Sequence, residues 1–193
     1  MKNIPEYYFK NDSEWRKWLH KNHGVSEGIY LILYKIDHEM ESMRWEEAVR
    51  VALCYGWIDS TVKSLGDGKR RQYFCSRKPK SAWSKLNKNH IIELMELGLM
   101  HENGLAKIEA AKQDGSWVFL DDVENGIIPE DLKKAFDKNK RAFENFQNFT
   151  KGQCKSYLYW LKQAKREETR QKRINEIVAF SEKNLKSRNP ESR

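Results

Sequence analysis

The chain is poor in cysteine, has no long apolar run and lacks a catalytic signature. Its three cysteines, Cys54, Cys75 and Cys154, are widely spaced in 193 residues. An odd, scattered set argues against a disulfide framework and suits free thiols in a reducing compartment. No stretch approaches the roughly 20 apolar residues that a membrane-spanning helix requires. The opening MKNIPEYYFK holds no apolar segment of the signal-peptide kind. The expected location is therefore cytoplasmic. A phosphate-cradling glycine loop and a G-x-S-x-G elbow are also missing, as are internal repeats and low-complexity segments. No cofactor motif and no reaction can be read from these residues.

What is present is charge and aromatic surface. Hydrophobic residues make up 39% and charged residues 33%, with seven Trp, eight Tyr and eight Phe. Large aromatic side chains give a lean aliphatic content enough buried area to form a core, which argues against global disorder. The net charge of +8 is unevenly spread. Residues 1–62 carry −2, 63–90 carry +8, 91–150 carry −5 and 151–193 carry +7. A basic block concentrates anions around it, whether nucleotides, nucleic acids or acidic headgroups.

Periodicity and punctuation predict an α+β fold. Asp12 and Ser13 are expected to cap a helix through Trp15, Trp18 and Leu19. Gly28–Lys35 reads as a buried strand. Ser42 is expected to cap a helix whose Trp45, Ala48, Val49, Ala52 and Leu53 form one apolar face. Trp57–Leu65 and Lys69–Cys75 read as two strands around Gly66-Asp67-Gly68, a hairpin signal. Ser81 is expected to cap the next helix through Trp83 and Leu86, and a short helix fits Leu105–Lys112. The segment 115–128, with its DDVENG run, reads as an acidic loop, and the residues beyond it read as helical. The expectation is a small three-stranded antiparallel sheet packed by helices, followed by a helical C-terminal region. The boundary divides 1–120 from 121–193.

Several stretches occur in an order that resembles the YdeI/OmpD-associated (bacteriocin-protection) family: WRKWL at 15–19, EEAVRVALCYGWID at 46–59, RQYFCSRKPKSAWSKLN at 71–87, residues 98–115, and YLYWLKQAKREETRQKRI at 157–174. One departure is Ser76, in Phe74-Cys75-Ser76-Arg77, where the family often has Pro and its fixed φ. The resemblance implies a link to bacteriocin and antimicrobial-peptide tolerance and to porin association. It carries no catalytic residues with it.

The expected working surface is Gly56–Asn87. Trp57, Asp59, Arg77, Ser81, Trp83, Ser84 and Asn87 converge in sequence on a strand end and a helix start, an arrangement suited to a small anionic ligand or an acidic partner. The structural alternative makes Asp59 and Arg77 a locking ion pair, Ser81 a cap, and both Trp residues core. The hairpin register decides between faces, because a one-residue slip exchanges them. A two-residue turn sets Asp59 opposite Ser76, whereas a three-residue loop or a bulge puts Asp59 and Arg77 on one face. A rival reading makes Lys69, Arg70, Arg71, Arg77, Lys78, Lys80, Lys85 and Lys88 a nucleic-acid stripe, with Tyr73 and Phe74 for stacking. The basic run Lys162, Lys165, Arg166, Arg170, Lys172 and Arg173 reads as ordinary helix surface, interrupted by Glu167 and Glu168. His20 and His23 lack a further ligand at metal spacing, and Cys54 lacks a sequence-neighbouring base, so it reads as core.

Overall fold

Aromatic packing builds the first core. Trp15 and Leu19 lie one turn apart on helix α1 (Asp12–Asn22) and are fully buried. Trp15 packs on Trp18 at 5.4 Å, on Phe74 at 5.7 Å and on Trp57 at 6.3 Å between ring centroids. Indole nitrogens buried this deeply need acceptors. Trp15 Nε1 donates to Ala48 O and Trp57 Nε1 to His23 O, each at 3.1 Å. A computed structural model describes residues 4–188, and the chain divides after Phe119 into two compact units.

In the first unit, strands β1 (Glu6–Tyr8), β2 (Ile29–Tyr34), β3 (Trp57–Gly66) and β4 (Lys69–Ser76) form one sheet in the order β1-β2-β4-β3. Helices α1, α2 (Trp45–Cys54), α3 (Lys85–Glu96) and α4 (Glu102–Gln113) supply the rest of the unit's core. Along the chain the unit runs β1-α1-β2-α2-β3-β4-α3-α4. The α+β class holds, but the sheet is mixed and four-stranded rather than three-stranded and antiparallel. The added strand β1 pairs parallel with β2 through Glu6↔Tyr30, Tyr7↔Leu31 and Tyr8↔Ile32. All three of its residues are exposed, so it carries no buried alternation to betray it.

Register is set by the turn and then changed by bulges. Asp67 (φ 43°) and Gly68 (φ 68°) form a two-residue turn with Gly66 paired to Lys69. Positive φ at both central residues is the type I′ signature, which Asp-Gly favours. Two irregularities, between Asp59 and Val62 and between Ser64 and Gly66, each add a residue to β3. Their combined slip of two sets Asp59 opposite Phe74 and Trp57 opposite Ser76. An even slip keeps the pleat in phase, so Trp57, Asp59, Gln72 and Phe74 share the face that carries buried Ile29, Leu31 and Leu33.

Helix starts differ from expectation by one to three residues. Asn11, not Asp12 or Ser13, caps α1 by accepting from Glu14 N at 3.0 Å. Ser42 instead accepts from Tyr34 N, and α2 starts after Arg44, whose N–H donates to Glu47 Oε2 at 2.6 Å. Ser84, not Ser81, caps α3, accepting from Asn87 N at 3.2 Å.

The second unit is helical: α5 (Asp121–Glu124), α6 (Glu130–Asp137), α7 (Lys140–Gln147), α8 (Lys151–Lys162) and α9 (Glu167–Glu182). The short α5 occupies part of the segment expected to be an acidic loop. Leu132, Phe136, Phe146, Tyr157, Leu161, Ile174 and Ile177 fill its separate core. Four of the basic residues on α8 and α9 are engaged internally, among them Lys155 with Glu124 at 2.5 Å. Arg170 forks onto Asp131 and holds that carboxyl below its usual range. Lys162 meets Asp122 at 3.0 Å, and Arg173 lies 5.0 Å over the Trp160 ring. None of the helices among the described residues is long and apolar enough to cross a membrane.

Gly104 fixes how α4 meets α2. A Cβ there would sit 2.2 Å from Cys54 O and 3.0 Å from Leu53 O, both rigid backbone atoms. Overpacking of this kind costs about 1–3 kcal/mol, occasionally more. Gly104→Ala is therefore expected to lower the unfolding free energy by about that amount, read as a lower urea midpoint at an unchanged slope. An unchanged midpoint would show that α4 is not held against α2 this closely.

Candidate functional site

Arg77 follows directly on β4. Its backbone N–H donates to Gly56 O at 2.9 Å, and its carbonyl accepts from Lys107 Nζ at 3.1 Å. The residue is only 4% exposed. Its guanidinium lies 3.6 Å over the ring of Trp83, close for a cation–π contact. Nη1 donates to Ala82 O at 3.2 Å and to Ser81 Oγ at 3.3 Å, while Nε is buried with no acceptor. Burial lowers the pKa to about 10, against a smaller upward pull from Asp59 and Cys75. The group still carries its charge at neutral pH.

This binding explains the late start of α3. The guanidinium gathers Ser81 Oγ and Ala82 O toward itself, and Lys80 enters the left-handed region at φ 60°. Lys80 N is tied to Asp114 Oδ2 at 3.1 Å. Lys80 at that φ cannot belong to a right-handed helix, and α3 starts beyond it, capped by Ser84.

The sequence-derived residues separate into three places. Arg77, Ser81 and Trp83 come together around a small cleft of about 70 Å³, walled also by Lys78, Lys80 and Lys107. Ser84 and Asn87 form the adjoining cap of α3. Trp57 is fully buried in the aromatic core, and Asp59 is neither ion-paired nor hydrogen-bonded to Arg77 among the described residues. Asp59 Oδ2 instead accepts from Trp45 Nε1 and from Gln72 Nε2, both at 2.9 Å. Periodicity placed Trp45 on the apolar face of α2 and gave no sign that its indole reaches the sheet. The basic stripe is broken too. Arg77 and Phe74 are buried, and Arg71 is paired with Glu6 at 2.7 Å.

Residues 7–107 match the family model described as a domain of unknown function (DUF8412). That match spans just over half of the chain. The chain belongs to the DUF8412 family. Residues 125–184 match the model described as Bacteriocin-protection, YdeI or OmpD-Associated. The resemblance to that family, expected along most of the chain, is thus shown in the helical unit, whereas most of the first unit is DUF8412 sequence. No curated protein and no solved structure matches the chain.

The DUF8412 unit also holds a cluster that linear spacing conceals. His101 joins His23 at 4.8 Å and His20 at 5.8 Å between ring centroids, and stacks on Tyr55 at 4.9 Å. Among the described residues no group of three or more His, Cys, Asp or Glu has a geometry that could hold a metal ion. Cys54 lies nearby, accepting from Arg16 Nη2 at 3.3 Å, and burial pushes its thiol pKa up, so it is no activated nucleophile.

The cluster makes stability depend on pH. His101 Nδ1 accepts from Asn103 N at 3.2 Å and so caps α4 in the neutral form. Burial lowers its pKa, His23 and His20 lower it further, and Glu102 opposes them. A histidine whose folded pKa is depressed contributes fully above its unfolded pKa of about 6.5 and loses that contribution as pH falls through the folded value. The melting temperature is therefore expected to fall between pH 7 and 5. His101→Asn, which keeps a capping side chain but does not titrate, should flatten that slope. A slope identical in wild type and variant would remove His101 from the account.

Proposed function

We propose that the DUF8412 unit binds a small oxyanion, one phosphate- or carboxylate-sized group, in the cleft beside Arg77. The observation that carries this reading is an arginine 4% exposed whose guanidinium has no carboxylate hydrogen-bonded to it among the described residues. A buried charge of this kind is normally paired, and guanidinium is the side chain suited to oxyanions. Lys78, Lys80 and Lys107 share the cleft and add positive potential. Asp114, the carboxylate in the same wall, already accepts from Lys80 N and Ser116 N. The volume of about 70 Å³ restricts the occupant to one small group.

The description of the second unit's family supplies a setting, protection against bacteriocins. We infer a stress or peptide-tolerance factor that acts through an anionic ligand or an acidic partner inside the cell. Direct capture of a cationic peptide is disfavoured by the net charge of +8.

Thermal shifts at constant ionic strength test the ligand. Phosphate, sulfate and acetate, each against chloride, should raise the melting temperature of the wild type. A ligand at one hundred times its Kd stabilises by about 2.7 kcal/mol. Lys80→Ala, at an exposed position, should reduce the shift without unfolding the unit. Arg77→Lys, which lacks the fork, should abolish it. If no oxyanion exceeds the chloride control, the reading is wrong and Arg77 serves only to hold its loop.

A further inference from the structure

A second and larger cleft lies beside Trp45, the indole bonded to Asp59. It encloses about 800 Å³ between the end of the β3–β4 hairpin and the segment joining β2 to α2. The two bulges in β3 strengthen the local twist where Val62, Ser64 and Arg70, all on the inward face of the sheet, line this space. The volume falls in the range of about 300–1,000 Å³ typical of small-molecule sites.

Two aromatic side chains in its wall, Trp45 and Tyr34, are held in place. Trp45 is half-buried, and its indole N–H is fixed by Asp59, itself fixed by Gln72. Tyr34 is flanked by His38 at 4.5 Å and Tyr8 at 5.6 Å between centroids. The rim is basic: Lys35, Arg44, Lys69 and Arg70 face the cleft against Asp37 and Asp67. Among the described residues none of those four cations is in an ion pair. Fixed aromatic surface beside unpaired cations is the chemistry that takes a planar base and a phosphate together.

We propose that this cleft binds a nucleotide unit, with the base against Trp45 and Tyr34 and the phosphate among Arg44, Lys69 and Arg70. The unit comes either from a free nucleotide or from one residue of a single strand, and both present the same base-plus-phosphate group. The Arg77 cleft is too small for a base, so the two sites are distinct.

Isothermal titration of the full chain at about 0.15 M salt, a physiological ionic strength, tests the proposal with AMP, GMP, CMP, inorganic pyrophosphate and hexameric oligonucleotides. At least one mononucleotide is expected to bind, and Arg44→Ala together with Arg70→Ala, both at exposed positions, should weaken it at least tenfold. Trp45→Leu should weaken it similarly while leaving pyrophosphate unchanged. Hexamers binding tighter than the monomer, with steep salt dependence, identify a strand as the source; equal affinities identify free nucleotide. Pyrophosphate binding as tightly as every nucleotide would overturn the proposal, because the base would contribute nothing. So would the absence of heat from every base-containing ligand, or affinity untouched by the double arginine variant.

Discussion

Arg77 is a charge taken out of water with no carboxylate among the described residues in hydrogen-bond contact, and the β4–α3 connection is arranged around that constraint. The ring face of Trp83 and the oxygens of Ser81 and Ala82 replace part of its hydration. They do so only because the β4–α3 connection stays irregular, with Lys80 at positive φ and anchored to Asp114. Lys107 closes the arrangement by donating to the carbonyl of Arg77 itself. Strand end, loop and α4 are thus coupled through one side chain. A buried polar atom without a partner, such as Arg77 Nε, calls for an explanation, and a bound ion is one.

Asp59 plays the complementary part. It is a carboxylate that bridges two neutral donors, Trp45 from α2 and Gln72 from β4. Its position stiffens the wall of the larger cleft through Trp45, while its field reaches Arg77. Two bulges in β3 make this possible. Without their even slip Asp59 would lie opposite Ser76 rather than Phe74, and the hairpin would lack the added twist beside the cleft. Irregular backbone in this protein therefore lies where both candidate sites are built.

The second unit follows different physics. Its helices run from 4 to 16 residues, and their apolar faces pack phenylalanines and Tyr157 into a core of their own. Arg170–Asp131, Lys162–Asp122 and Arg173–Trp160 draw several of its cations into internal contacts. The +7 of residues 151–193 is accordingly a weaker argument for a partner than it looks in composition.

Local chemistry was legible in the chain. The period of α2, the Asp-Gly turn, the α+β class and the concentration of positive charge at 63–90 all follow from neighbouring residues, because dihedral preference and amphipathicity act over a few positions. The grouping of Arg77, Ser81 and Trp83 was also visible, since those residues are close in sequence. The tertiary structure alone decided what depends on distance along the chain. It recruited β1, whose exposed residues have no pattern of their own, and it bonded Trp45 to Asp59. It also brought His101 to His20 and His23, and turned the guanidinium of Arg77 onto Trp83 instead of pairing it with Asp59. These were set by long-range packing or by the need to give buried polar groups partners, requirements that no local window of sequence expresses.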